Sequence, residues 1–154
     1  MRCSPFGWLV FGILLTTFAS GDDAKDEAIK KDRQRIEGTW RVTSLAINGN
    51  KSKVEDARKL TVVNDDKGTW LLRSEDKEIS KGTSTFDPTK KPKTIDFTPT
   101  AGGGTGELFL GIYQLGKNKR KLCFAPSGKA RPTEFSSTAE NQQILVTFER
   151  IKSP

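Results

Sequence analysis

Two pairs of adjacent carboxylates are the clearest candidates for acid–base chemistry in this sequence of 154 residues. Asp65 precedes Asp66 in one polar run, and Glu75 precedes Asp76 in another. Glycoside hydrolysis needs two carboxylates that face each other across a cleft. Neighbours in a short polar run do not give that arrangement, whereas Asp is a typical turn residue. We therefore interpret both pairs as turn residues and predict no catalytic residue.

Histidine is absent from the whole sequence. This removes the commonest general base at neutral pH and the commonest metal ligand. It also excludes nucleophile pairs of the Ser–His and Cys–His type. We predict a protein that is not an enzyme and that has no cofactor and no metal site.

Of the two cysteines, Cys3 precedes the apolar run 8–15, and Cys123 alone remains if the N-terminal segment 1–21 is cleaved off. A chain that keeps Cys123 alone cannot form an internal disulfide. Within Leu122–Cys123–Phe124 the thiol is predicted to be an inert, packed side chain. A reactive or intermolecular thiol is the alternative.

Apolar side chains could instead bind an apolar ligand, provided that the fold places them on one inner surface. The candidates are Val42, Trp70, Phe86, Phe97, Tyr113, Phe124 and Phe148. The same side chains would also serve as a packed core, and the sequence leaves both interpretations open.

Short strand-like runs separated by turn signals fill the chain after position 38. In the first run, 39–47, the two-residue period of a strand places Trp40, Val42, Ser44 and Ala46 on one face. Nine runs can be distinguished, and Pro132 makes 131–135 the weakest of them. Because a closed antiparallel barrel needs an even number of strands, we predict an all-β, up-and-down barrel of about eight strands over 37–152.

An even count places Trp40, in the first strand, and Arg150, in the last, at the same end of the barrel. An arginine stacked on an indole contributes about 0.5–2 kcal/mol and would close this end. Contact with a ligand anion is the alternative role of this pair. The same parity brings the turns around 88–93 and 116–120 to this end, where a basic rim is expected from Lys90, Lys91, Lys93, Lys117, Lys119 and Arg120.

The segment 1–21 has the pattern of a signal peptide. Arg2 precedes the apolar run 8–15, which is too short to span a bilayer comfortably, and Ala19–Ser20–Gly21 resembles a cleavage site. We expect an exported protein, periplasmic or extracellular, whose mature chain begins at Asp22 and spans no membrane. A retained N-terminal anchor is the alternative. The charged leader 22–36 is predicted to form a short frayed helix or a tether.

The net charge of +7, from 26 basic and 19 acidic residues, falls to +6 without Arg2. Such a charge favours an anionic partner, for example an envelope polymer. Dispersed lysines also serve solubility, which is the simpler explanation. No aromatic residue interleaves the lysines of the predicted rim, so nucleic acid is not an expected partner.

Gly38–Thr39–Trp40, combined with Arg150 in the last strand, resembles the signature of the lipocalin-like (calycin) barrels. Together with the blocks 87–96, 111–113, 122–126 and 131–135, it makes residues 32–152 similar to an uncharacterised secreted domain family abundant in planctomycete bacteria. That pattern has a leucine where Arg120 stands. The resemblance implies export and a lipocalin-like barrel, and it transfers no activity.

The predicted function is therefore an exported, non-enzymatic module that binds a small apolar ligand in its barrel. The alternative is a filled barrel that acts through its surface in the cell envelope. An open interior would favour the first. The opening is expected away from Trp40, among the connections at 48–59, 100–106 and 126–131.

Overall fold

The computed structural model describes residues 21–152, so the predicted signal segment lies outside the described residues apart from Gly21. Two helices and nine strands make up the described part of the chain. In order they are α1 (Gly21–Ile36), β1 (Gly38–Ile47), β2 (Asn50–Lys51), α2 (Val54–Ala57), β3 (Leu60–Asn64), β4 (Thr69–Ser74), β5 (Lys77–Asp87), β6 (Lys93–Ala101), β7 (Phe109–Leu115), β8 (Lys119–Phe124) and β9 (Ile144–Arg150).

Eight of these strands form a closed, antiparallel, up-and-down barrel. Each strand from β3 to β9 pairs with the next along the chain, β1 pairs with β3, and β9 pairs back with β1. β2 is a short hairpin partner of β1. The prediction of a small, lipocalin-like all-β barrel with eight strands is confirmed.

The segment 131–135, the weakest of the nine predicted runs and expected to lie beside the barrel as an edge piece, is irregular in the structure. Pro132 has no backbone N–H to donate to a ladder. Arg131 attaches the segment instead, since its Nη1 donates to the carbonyls of Ile95 at 3.0 Å and Gly111 at 2.8 Å. Its Nη2 also lies 2.6 Å from a carboxylate oxygen of Asp96. A side chain thus replaces the expected backbone pairing.

A β-bulge in β1 changes which side chains face inward. Val42 pairs with Phe148, but the next pair joins Ser44 to Thr147. The extra residue reverses the alternation, as bulges do. Leu45 and Ile47 therefore face the interior, and the prediction that Ser44 and Ala46 share the face of Trp40 is wrong.

Helix α1 covers the barrel end at which Trp40 and Arg150 lie; we call this the closed end. The helix spans 16 residues, with acidic residues in its first turn and basic residues in its last, as the helix dipole favours. Asp32 and Ile36 are buried against the barrel. The leader is expected to be either a short frayed helix or a tether, and the structure shows a helix. This helix is packed against the barrel rather than frayed.

The opposite end, which we call the open end, carries the connections 48–59, 75–76, 102–108 and 125–143. The turns at 88–92 and 116–118 lie at the closed end, as predicted, because Lys93 pairs with Tyr113. Among residues 21–152, no helix has the length and apolar character needed to cross a membrane.

Candidate ligand-binding site

The closed end is sealed by a contact between Trp40 and Arg150. The two residues pair across β1 and β9, and the guanidinium carbon lies 4.3 Å from the centroid of the indole ring. Arg150 Nη1 donates to the carbonyl of Glu37 at 2.7 Å, and Nη2 donates to that of Arg35. Trp40 Nε1 donates to the carbonyl of Ile36 at 2.8 Å. The predicted pair is present, and it also satisfies carbonyls that every helix leaves free at its C-terminus.

A buried carboxylate joins α1 to the barrel beside this pair. Asp32 is 3% exposed, and its Oδ2 accepts hydrogen bonds from Lys93 Nζ at 2.7 Å and from the Tyr113 hydroxyl at 2.8 Å. Burial first, and then the hydrogen bond to Asp32, raise the pKa of Tyr113 well above its usual range. Tyr113 therefore stays protonated and holds the helix.

Two predicted ligand-lining residues, Phe86 and Tyr113, lie beneath α1 rather than around the cavity described below. Their rings meet edge to face with centroids 5.7 Å apart. The Arg33 guanidinium from α1 lies 4.6 Å from the Phe86 centroid. Because the helix occupies this end, both rings form a floor between α1 and the interior.

An apolar cavity of about 280 Å³ lies above that floor, within the barrel. The other five predicted ligand-lining residues all border it: Val42, Trp70, Phe97, Phe124 and Phe148. Leu45 and Ile47 border it as well, because of the bulge in β1. The interior is not filled by side chains.

Aromatic rings form one wall of the cavity. Phe97 meets Trp70 edge to face at 6.1 Å and Phe124 at 4.9 Å, and it stacks on Phe109 at 5.2 Å. Phe109 does not itself border the cavity but packs against Phe97 and Phe124, and alternation along β7 places it on the face of Tyr113. Gly82 makes room for the indole of Trp70, since a Cβ there would lie 2.5 Å from the ring carbon Cζ2.

The exposure of the lining residues shows where the cavity meets solvent. At the inner end Val42 and Phe148 are 2% and 4% exposed, whereas Ile47, at the open end, is 41% exposed. The other large apolar side chains exposed within residues 21–152, Val54, Ile79 and Leu108, also lie in or beside open-end connections. The exposed apolar side chains thus lie at the open end, which is the end at which the sequence analysis expects the entrance.

Two polar side chains border the inner part of the cavity with donor groups left unpaired. Arg120 is 5% exposed, and its Nε and Nη1 have no hydrogen-bond partner. Its guanidinium lies 5.3 Å from the Phe148 ring centroid. Asn64 is 7% exposed, and its Nδ2 is also unpaired. Burial lowers the pKa of Arg120 to about 10, so the side chain remains charged at neutral pH.

The predicted basic rim is smaller than expected. Lys90, Lys91, Lys117 and Lys119 are exposed at the closed end, as the sequence predicted. Lys93 instead binds Asp32, and Arg120 points into the barrel. The sequence itself indicates the second change, because alternation along β8 puts Arg120 on the same inward face as Leu122.

Asp65 and Cys123, two of the candidates for chemistry, have structural contacts. Asp65 accepts backbone hydrogen bonds from Lys67 and Thr69 at 2.9 and 2.8 Å, as a turn residue does, and the bond from Thr69 lowers its pKa. Cys123 is fully buried, its thiol lies 3.3 Å from the carbonyl of Ser136, and burial raises its pKa. Among residues 21–152, no cluster of His, Cys, Asp and Glu side chains has the arrangement of a metal site.

Comparisons of the chain with protein-family models, with curated proteins and with solved structures gave no match. Function is therefore inferred from the cavity and from the residues around it.

Proposed function

We propose that this protein is an exported, non-enzymatic, lipocalin-like module that binds a small and largely apolar ligand inside its barrel. The observation that carries the proposal is the apolar cavity of about 280 Å³, which is bordered by five of the residues expected to bind such a ligand. A filled barrel acting through its surface would have no such space. Concave apolar pockets with a few polar groups are the usual form of small-molecule sites.

The volume limits the size of the ligand. At roughly 30 Å³ for each water-sized group, the cavity holds about nine such groups. It lies just below the range of about 300–1,000 Å³ that is usual for ligand pockets. We expect a ligand of about ten non-hydrogen atoms, or a longer one whose end projects through the open end.

A binding role, rather than an enzymatic one, is supported by the chemistry of the lining. The cavity is bordered by no carboxylate, cysteine or lysine, and Arg120 is the one charged residue among those described. Export is supported by the apolar run at 8–15 and by the small residues at 19–21. N-terminal sequencing of the mature protein tests it.

A neutral fluorescent probe whose size matches this volume, 1-aminonaphthalene, tests the binding proposal. We expect about one probe to bind per chain and to raise the melting temperature, because a ligand selective for the folded state stabilises it. Phe97→Ala should change probe affinity, since Phe97 contacts three other rings of the aromatic wall. Lys91→Glu and Lys117→Glu, at the closed end, should not.

Two results would contradict this proposal. One is a probe that does not bind the folded wild-type protein. The other is an unchanged affinity in Phe97→Ala. If, in addition, the lysine substitutions abolish attachment to anionic envelope polymers, the surface-interaction hypothesis replaces this one.

A further inference from the structure

Building on the proposed function, we infer that the ligand is an amphipathic carboxylate. Its carboxylate binds Arg120 and Asn64 at the inner end of the cavity, and its apolar chain extends toward the open end. The ligand class is thus a monocarboxylic acid. The cavity volume, roughly nine water-sized groups, limits its chain to about eight carbons.

The unpaired donors of Arg120 are the first part of the argument. A charge removed from water is strongly unfavourable unless it is paired and hydrogen-bonded. Within residues 21–152, Arg120 takes part in no ion pair, although it is 5% exposed. Within the same residues, its one cation–π contact is with the ring of Phe148. An anion in the cavity would supply the missing partner.

Asn64 gives a second, independent indication of the same chemistry. It ends β3, whereas Arg120 stands near the start of β8, and both positions lie toward the closed end. The unpaired Nδ2 of Asn64 is a donor as well, so two buried donors from different strands face one space. Buried polar groups in proteins are nearly always paired, which makes two such donors at one cavity a sign of an acceptor that binds there.

The choice of a carboxylate follows from the guanidinium group. Arginine forms two parallel N–H···O bonds with a planar carboxylate, and this match is the reason that it recurs at carboxylate-binding sites. The remaining lining is almost entirely apolar, apart from Ser84, which leaves one position for charge and the rest for a hydrocarbon chain. Phe124, at the end of β8, and the partly exposed Ile47 lie on the side where that chain would end.

The test compares octanoate with 1-octanol, each titrated against the mature chain by calorimetry and by displacement of the neutral probe. We expect octanoate to bind the wild-type protein at least tenfold more tightly than octanol. Arg120→Leu should remove that preference and still bind octanol and the probe. Asn64→Leu should reduce the preference by a smaller factor.

Lys119→Leu is the matched control, because it removes one positive charge from the same strand at an exposed position. It should leave the preference for octanoate unchanged. Arg120→Lys keeps the charge without the two-pronged geometry and should retain part of the preference.

The outcomes separate this inference from the proposed function. Equal affinity for octanoate and octanol in the wild-type protein, or a preference that survives Arg120→Leu, would overturn the inference and leave apolar binding intact. Octyl sulfate binding as tightly as octanoate would overturn the assignment of a carboxylate. Failure of octanoate, octanol and the probe to bind would overturn the proposed function itself.

Discussion

The closed end and the inner end of the cavity each contain a buried charge, but the two charges have different surroundings. Asp32 is 3% exposed and accepts hydrogen bonds from Lys93 and Tyr113. Arg120 is 5% exposed and has two nitrogens without a partner. Burial alone therefore does not distinguish a structural charge from one available to a ligand. The number of hydrogen-bond partners does.

The two arginines of neighbouring strands show the same difference. Arg150 and Arg120 each lie over an aromatic ring, at 4.3 Å from Trp40 and 5.3 Å from Phe148. Arg150 also donates to two carbonyls at the end of α1. Arg120 reaches no such acceptor. The helix thus serves as the partner of Arg150, and the cavity leaves space for a partner of Arg120.

Truncation of the closed end should give the largest effect. Trp40→Ala removes a side chain that is fully buried and is expected to lower the free energy of unfolding by about 3–5 kcal/mol, as other buried aromatic truncations do. Denaturant titration measures this loss. Because the indole touches the guanidinium, Trp40→Ala combined with Arg150→Ala should cost less than the sum of the single changes. Simple additivity would show that the two groups do not interact.

Replacement of Arg120 should have the opposite sign. Arg120→Met removes an unpaired buried charge and keeps an apolar side chain of similar length, so the ligand-free protein should gain about 1–4 kcal/mol of stability. Asp32→Leu, the corresponding change at the closed end, should instead destabilise, because it leaves Lys93 and Tyr113 without their acceptor. Thermal melts of the two variants check both signs. Destabilisation by Arg120→Met would indicate that its charge is already paired.

Tyr113→Phe should have the smallest effect and a dependence on pH. The variant loses one hydrogen bond to Asp32, which contributes about 1 kcal/mol. The pKa of Tyr113 is raised in the folded state, so its stabilisation is fully present below its ordinary pKa of about 10 and is lost as the pH rises above that value. The stability difference between wild type and variant should therefore be constant from neutral pH to about 10 and then shrink. Denaturant titrations at several pH values measure it, and a difference that grows above pH 10 would contradict the assigned role.

Strand parity was enough to predict much of this structure. An even number of strands and the positions of Trp40 and Arg150 predict the barrel and its closed end. The two-residue period also identified Val42, Phe97 and Phe148 as lining residues. These features follow from local alternation, which the sequence displays directly.

The remaining features depend on tertiary contacts. No residue type at Thr43 or Ser44 marks the bulge that turns Leu45 inward. The docking of α1 rests on Asp32, whose partners Lys93 and Tyr113 are distant in sequence, so a thin apolar stripe is the only local sign of it. Arg120 departs from the leucine of the family pattern, but its lack of hydrogen-bond partners depends on the strands that pack around it.

The hydrogen bond between Arg150 and the carbonyl of Glu37 has a consequence for the order of events during synthesis. It joins positions that are 113 residues apart, and the same strands, β1 and β9, close the barrel. Neither the closed barrel nor the end of α1 can be completed before Arg150 has left the ribosome, and contacts of such long sequence separation form slowly. If the protein is exported as proposed, a chain that engages the translocation machinery during its synthesis does so before the barrel can close.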